Sequence, residues 1–428
     1  MKHFEEFIFK SYSFDHDNKQ LTLTYSLDDS IEFNEKYRFD FDFVEFDKDT
    51  LDRALQLLFL VAGVSYFKTY LPPKITVNNV NVDDELADFL AKTYQKGLGE
   101  FFFTNNLDPN TTVEFPVTSE FSNTKISSAR KNDGLLIAIG GGKDSLVSTE
   151  ILRSEPKVAT WSLNHREQLE PLITKIGLPH MWVDREIDPK LLSLNREDGV
   201  MNGHIPISAI IAAVGVVVAI LSGYRDIVVS NENSANEATM TYRGIDINHQ
   251  YSKTSEFELS FQEYLTHVVG DSIRYYSFLR PLSELHIAKL FSKLAFDKYK
   301  SVFSSCNKAF VHDQNHMSWC GECPKCAFTF LILTPFIDKS GLEKIWNRNL
   351  LIDESLEITY KKLLGIEGDK PFDCVGEIKE SRSAMQLAKQ TYPELEKYEF
   401  QLPKDYNFMS LAKHNMPEEL FAKLKNSL

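Results

Sequence analysis

The sequence predicts an α/β protein. A domain built on a parallel sheet flanked by helices is preceded by an α+β domain and followed by a mainly helical region. Three observations carry this expectation. From about Asn132, short apolar runs alternate with helical segments, the pattern of a parallel sheet with helical crossovers. Before that, roughly the first 45 residues alternate apolar and polar positions with period two, as half-buried antiparallel strands do. After about Leu333 the chain is charged and helical in pattern. The expected domains are residues 1–128, 129–335 and 336–428.

Each element has its own signal. FIFKSYSF, QLTLTYSL and YRFDFDFV read as three strands with turns near DHDN and DDS. Thr50 to Tyr70 reads as a helix stopped by Pro72 and Pro73, since proline lacks the amide hydrogen a helix needs. KITVNNV reads as a strand. DDELADFLAKTYQKGLGEFFF reads as a helix whose acidic start suits the positive end of the helix dipole. LLIAI (strand), KDSLVSTEILR (helix), KVATWSLN (strand), REQLEPLITKI (helix, ended near Gly177) and HMWVDREI (strand) follow. The apolar run from Ile205 to Leu221 is short for a ~30 Å hydrocarbon core, and Pro206, Ser208 and Gly215 interrupt it. It therefore reads as a buried helix, with Gly223 and the strand DIVVS after it. Ligands of parallel sheets bind beyond the C-terminal ends of the strands. Three loops occupy such positions: GGGKDS at 140–145, Asn164-His165-Arg166, and SNENSAN at 230–236.

Composition excludes some partners. The 428 residues are 43% hydrophobic and 25% charged, as in globular proteins, with a formal net charge of −14. An acidic surface repels a phosphate backbone, so no nucleic-acid partner is expected. Glu5 and Glu6 stand where the apolar core of a signal peptide would begin, so the expected compartment is the cytoplasm, without a membrane partner. Five cysteines in a long cytosolic chain point to a metal or to catalysis rather than to disulfides.

GGGKDS carries the first chemical signal. Glycines let the backbone turn N–H groups toward an anion, and the following helix adds unpaired N–H groups and a positive dipole end. Lys143 supplies a cation, Ser145 a hydroxyl donor, and Asp144 suits the helix start, where it can orient Lys143 or hold Mg²⁺. A Walker loop needs Ser or Thr after its lysine, and here Asp144 follows Lys143. The dinucleotide fingerprint is also absent. The stretch resembles the S-G-G-x-D-S loop of the PP-loop ATP pyrophosphatases, whose ATPase domain is Rossmann-like. They cleave ATP between the α and β phosphates and hold the departing pyrophosphate. Gly140 stands at the usual first serine.

The second signal is cysteine spacing. Cys306, Cys320, Cys323 and Cys326 place a C-x₂-C-x₂-C run after an upstream thiol, the ligand set of a tetrahedral Cys₄ zinc site. An iron–sulfur cluster is the rival, since it uses the same spacing. A closed Cys₄ site is structural, because it leaves no open coordination position. Among PP-loop enzymes the 7-cyano-7-deazaguanine synthases carry a similar cluster.

A closer resemblance spans residues ~50 to ~390. LFLVAGVSYFKTYLPPKI, YQKGLGEFFF, GGGKDSLVS, GHIPISA, SNENSAN, NHQYSKTSEFE, RPLSELHIAKLF, FSSCNKAF, WCGECPKCAF and KPFDCVGE occur in the order found in the UDP-N-acetylmuramoyl-L-alanyl-L-glutamate epimerases. That resemblance implies ATP-dependent inversion of the terminal L-Glu of UDP-MurNAc-L-Ala-L-Glu, with AMP and pyrophosphate as nucleotide products. A nitrile- or amide-forming PP-loop ligase is the alternative. ATP and Mg²⁺ are the expected co-substrate and metal beside a structural Zn²⁺.

The implied roles follow. Gly140, Gly141, Gly142, Lys143, Asp144 and Ser145 hold the phosphates, with Lys143 and Asp144 taking part in catalysis. Asn164, Asn231 and Glu232 follow strands at the same sheet edge and are expected at ATP, Glu232 as a Mg²⁺ ligand. His204, His249, Lys253, Arg280 and Glu284 are expected to bind the anionic substrate. Cys374, outside the metal cluster, is a candidate base for inversion, as are His204 and His249.

Overall fold

The computed structural model describes residues 3–119, 133–197, 199–310 and 316–428. The boundary expected at 128/129 falls outside them. The protein is mixed α/β and divides into two compact units. The first comprises Met1–Leu136, Met181–Ile227 and Thr241–Tyr275, and the second Ile137–His180, Val228–Met240 and Tyr276–Leu428.

In the first unit, the strands Glu6–Asp15, Gln20–Leu27 and Ile31–Asp40 form the expected antiparallel meander, with Phe7 opposite Leu27 and Leu21 opposite Tyr37. Period-two burial of Leu21, Leu23, Tyr25 and Leu27 puts one face of the meander in the core. The third strand begins earlier than expected, at Ile31, and stops at Asp40, so FDFV at 41–44 lies beyond the ladder. Two further strands extend this sheet. Lys74–Val77 pairs parallel with Glu6–Asp15, and His180–Glu186 pairs antiparallel with Ile31–Asp40.

A buried ion pair fastens the second of these junctions. Arg185 donates to both carboxylate oxygens of Glu35, at 2.9 and 3.1 Å, and to Ser65 Oγ at 2.7 Å. Tyr37 donates to the same carboxylate at 2.5 Å. Both charges are thus bonded as well as paired, the condition under which a buried ion pair is tolerated.

Helix Lys48–Ala62 starts at Asp47, whose carboxylate accepts from Thr50 N at 2.8 Å. It breaks at Gly63, where the ring of Phe9 leaves no space for a Cβ, and resumes as Val64–Phe67. The combined run is apolar and long enough to cross a bilayer, but its apolar window is 83% buried inside the protein. Helix Ile207–Ser222 packs against it and is buried throughout from Ala209 onward except at Ile211, as expected of a core helix.

The strands Arg274–Ser277, Tyr224–Val229, Asp133–Ala138 and Val158–Leu163 are hydrogen-bonded neighbours in that order. Helix Lys143–Leu152 connects the last two, the kind of crossover that parallel neighbours require. Helix Glu284–Leu294 packs on Lys143–Leu152, and Pro324–Leu333 packs on both Glu284–Leu294 and Ile378–Ala388. These helix starts bring the glycine loop, Glu284 and the cysteine segment into one neighbourhood.

Candidate active site

The glycine loop leaves strand Asp133–Ala138 and turns into helix Lys143–Leu152. Gly141 has φ +92°, the left-handed region where a side chain is strained. A Cβ there would also lie 2.5 Å from Met317 Sδ and 3.2 Å from the Ser304 carbonyl oxygen. Gly140 differs: a Cβ on it meets nothing within 4 Å. Gly142 is the N-cap, and no side chain caps the helix, so its first N–H groups keep the electropositive character of a helix start. Ser145 Oγ donates to the Gly142 carbonyl at 3.2 Å.

Lys143 is buried, with its ammonium 2.5 Å from Asp144 Oδ1 and in contact with Glu284 Oε2. Burial opposes its charge, but the Asp144 and Glu284 carboxylates outweigh that and hold its pKa above the usual lysine range. Burial pushes the Glu284 carboxyl up to about 7; Lys143 opposes this, while Asp144 and Glu232 reinforce it. Glu284 therefore sits at the glycine loop, against the loop lysine.

Behind Glu284 stands Glu380, fully buried. One carboxyl oxygen accepts from Glu284 N at 2.8 Å, and the other accepts from Glu377 N at 2.7 Å. The second bond belongs to a capping box that starts helix Ile378–Ala388. Burial, then the charges of Glu377 and Glu284, lift the Glu380 carboxyl well above the usual carboxylate range.

Two of the three loops beyond the strand ends meet through side chains: Ser148 Oγ, one turn into the glycine-loop helix, lies 2.8 Å from Ser230 Oγ. Ser277 Oγ donates to the Asn231 carbonyl at 2.5 Å, and the fully buried Arg280 donates to the Glu232 carbonyl at 2.7 Å. Arg280 thus braces the backbone of the acidic loop. The Glu232 side chain is 7% exposed, and its charge is felt by Glu284. Asn164 and His165 are both left-handed, φ +62° and +60°, and the His165 ring stacks on Phe310 at 4.2 Å.

Cys374 is half-buried, and its carbonyl accepts from Lys325 Nζ. Lys325 lies between two of the clustered cysteines, and its charge reaches Glu284. The four clustered sulfurs all lie within 4.8 Å of one another. The separations are 3.7 Å for Cys306–Cys323, 3.8 Å for Cys320–Cys326 and 3.6 Å for Cys323–Cys326. A tetrahedral ion bonded to sulfur at roughly 2.3 Å spaces its ligands roughly 3.8 Å apart. An iron–sulfur cube separates its cysteines much more widely, because its own atoms lie between them. Backbone N–H groups of Lys308, Cys320, Gly321 and Glu322 point at these sulfurs at 3.3–3.4 Å, as thiolate acceptors require. The four cysteines can hold one metal ion.

The remaining expected residues fall in the first unit. His249 Nδ1 lies 2.6 Å from Glu100 Oε2, and His204 Nδ1 lies 3.5 Å from the same oxygen. The two rings are 4.7 Å apart. Burial, then the neighbouring His249, lowers the His204 pKa to about 4; Glu100 opposes the shift and Lys253 adds to it. The five residues expected to bind substrate therefore divide, with His204, His249 and Lys253 in the first unit and Arg280 and Glu284 in the second.

Sequence reasoning missed Glu100, Lys325 and Glu380. Only Glu380 had a local signal, the E-x-x-E spacing of Glu377 and Glu380 that marks a capping box.

Residues 1–278 match the family model of the MurL N-terminal domain, and residues 302–400 that of the MurL C-terminal domain. The chain is 42% identical over 343 residues to the UDP-N-acetyl-alpha-D-muramoyl-L-alanyl-L-glutamate epimerase of Xanthomonas oryzae pv. oryzae (strain MAFF 311018), covering 78% of this chain and 74% of that one. Proteins of the same name from Micromonospora sp. (strain ATCC 39149 / NRRL 15099 / SCC 1413) and Salinispora tropica (strain ATCC BAA-916 / DSM 44818 / JCM 13857 / NBRC 105044 / CNB-440) are 39% and 35% identical. Those matches cover 79% and 90% of this chain, and 75% and 85% of theirs.

Proposed function

From the premise that this chain belongs to the MurL family, we propose that it epimerises the terminal L-Glu of UDP-MurNAc-L-Ala-L-Glu to D-Glu, with ATP activating the carboxylate. The observation that carries the ATP-dependent part is the glycine loop. An uncapped helix start and a buried lysine, with acidic side chains close by, suit a leaving pyrophosphate.

The chemistry explains the need for ATP. Removing a proton beside a carboxylate adds charge to an anion, and positioned acid–base groups supply only roughly 100- to 10,000-fold. That is about 3–5 kcal/mol. In this reading a carboxylate oxygen of the substrate attacks the α-phosphorus of ATP, the bond to the bridging oxygen breaks, and pyrophosphate leaves. The acyl adenylate carries no carboxylate charge, so its α-proton becomes accessible to a base. Reprotonation on the opposite face inverts Cα, and water then splits the anhydride into AMP and the D-Glu product.

Lys143 neutralises the leaving pyrophosphate, and Asp144 and Glu284 orient it. Glu232 and Asp144 would hold Mg²⁺, which screens phosphate charge when bound. The sulfur spacing supports zinc at the four cysteines, where it would be structural. Arg280 positions Glu232 through its backbone. Cys374 and the His204–His249 pair remain the candidates for proton transfer.

The test is pyrophosphate release on addition of UDP-MurNAc-L-Ala-L-Glu, followed by chiral analysis of the glutamate. Solvent deuterium should enter Cα only when ATP is present. Exchange without ATP would sink the adenylation step, and ammonia-dependent AMP formation would favour the ligase reading.

A further inference from the structure

Three lysines are buried among the described residues: Lys68, Lys143 and Lys370. Two are neutralised, Lys143 by Asp144 and Glu284, and Lys370 by Glu237 at 2.8 Å. Lys68 is 4% exposed and meets no carboxylate among the described residues. Its ammonium donates to Asn202 Oδ1 at 2.9 Å and lies 5.9 Å from the centre of the Phe101 ring. Burial lowers its pKa to about 8. A cation withdrawn from water without a counter-charge is costly, so buried charges are normally paired.

The surroundings are donors. Asn202 Oδ1 is already occupied by Lys68 and by Gly203 N at 2.9 Å, so its exposed amide group offers N–H donors. Asn105 Nδ2 bonds the Asn202 carbonyl at 3.1 Å, and Met201 N bonds the Thr69 carbonyl at 3.0 Å. These bonds hold the 201–203 strip against Lys68. His204 comes next along the chain, beside His249 and Glu100. The only carboxylate of this cluster among the described residues, Glu100, is engaged by His249.

We propose that Lys68 and Asn202, with His204 two residues along the chain, form an oxyanion-binding site in the first unit, without a counter-charge among the described residues until a ligand arrives. The ligand class is a carboxylate or phosphate. The inference rests on the proposed function for its ligand, whose oxyanions are the glutamyl carboxylates and the diphosphate of the UDP-linked dipeptide.

Calorimetric titration of the full chain with L-Ala-L-Glu and, separately, with UDP tests it. The wild-type chain should bind at least one of the two. K68M should weaken that binding tenfold or more, without lowering the urea midpoint. Loss in the dipeptide arm assigns the site to a carboxylate, and loss in the UDP arm to a phosphate. N202D covers the case in which K68M fails to fold. Its carboxylate on the exposed strip would pair with Lys68 and exclude the ligand, again by tenfold or more. A wild-type chain that binds neither probe, or an N202D chain that binds both as tightly as wild type, overturns the proposal. Pyrophosphate release is read separately on the wild-type chain. Its absence would sink the adenylation reading and leave these binding results standing.

Discussion

Glu380 offers the sharpest quantitative test of the site's architecture. Its two carboxyl oxygens accept the backbone N–H groups of Glu284 and Glu377, and all three groups are buried. Glutamine has one acceptor oxygen, so in E380Q one of those N–H groups faces an NH₂ and loses its partner. An orphaned buried donor costs ~1–3 kcal/mol, so E380A, which orphans both, should cost about twice as much, ~2–6 kcal/mol before any cavity term. With a urea slope of roughly 1–3 kcal/mol/M, E380Q should lower the midpoint by about 1 M. Trp319 and Trp346, 4.8 Å apart in the same unit, report the transition by fluorescence. The pH dependence adds a second readout. The folded carboxyl pKa is raised above its ordinary value of 4.5, so the folded state binds more protons and stability falls as pH rises from there. Glutamine does not titrate, so E380Q should show a shallower fall than wild type between pH 4.5 and 7. An E380Q chain with wild-type midpoint and wild-type pH slope would refute the two-acceptor geometry.

The glycine loop separates two substitutions that sequence alone would rank together. G141A should cost ~1–3 kcal/mol through its left-handed backbone and weaken ATP at least fivefold by titration, whereas G140S, placed in open space, should leave ATP binding unchanged or tighter. Metal analysis should find one ion per chain at the cysteines, lost in C326S, and the metal-free chain should bind ATP more weakly. Full ATP affinity in the metal-free chain would sever the link between the two sites.

Legibility followed the range of the forces involved. The meander, the core helix Ile207–Ser222 and the cysteine cluster were readable because each is encoded in local spacing. The pairing of His180–Glu186 with Ile31–Asp40 was not, because register across some 150 residues is set by packing and by the buried Glu35–Arg185 pair. Glu284 was expected at the substrate, and its partner in the structure is Lys143, 141 residues away. Nothing local announces such a pair. Lys68 did carry a signal, a single cation inside the apolar run FLVAGVSYFKTY, but amphipathic reading treats it as a helix end.

The cysteine cluster is tied to the glycine loop through the backbone. On the function proposed above, the glycine loop must keep its N–H groups aimed while charge moves past them, and three glycines alone are too free to do so. The restraint comes from the segment before Cys306. Ser304 N donates to the Gly141 carbonyl at 3.0 Å, Ser304 Oγ donates to the Ser318 carbonyl at 2.9 Å, and Cys306 N donates to Ser304 Oγ at 3.1 Å. Met317 closes the other side of Gly141. Both bracing strips run directly into clustered cysteines, Cys306 and Cys320. Four thiolates within 4.8 Å repel one another unless a cation lies between them, so the brace is only as firm as the metal that closes it. On the proposed function, a metal held by the four cysteines would shape the glycine loop without touching the phosphate, which gives a closed, chemically inert site a reason to stand beside a catalytic one.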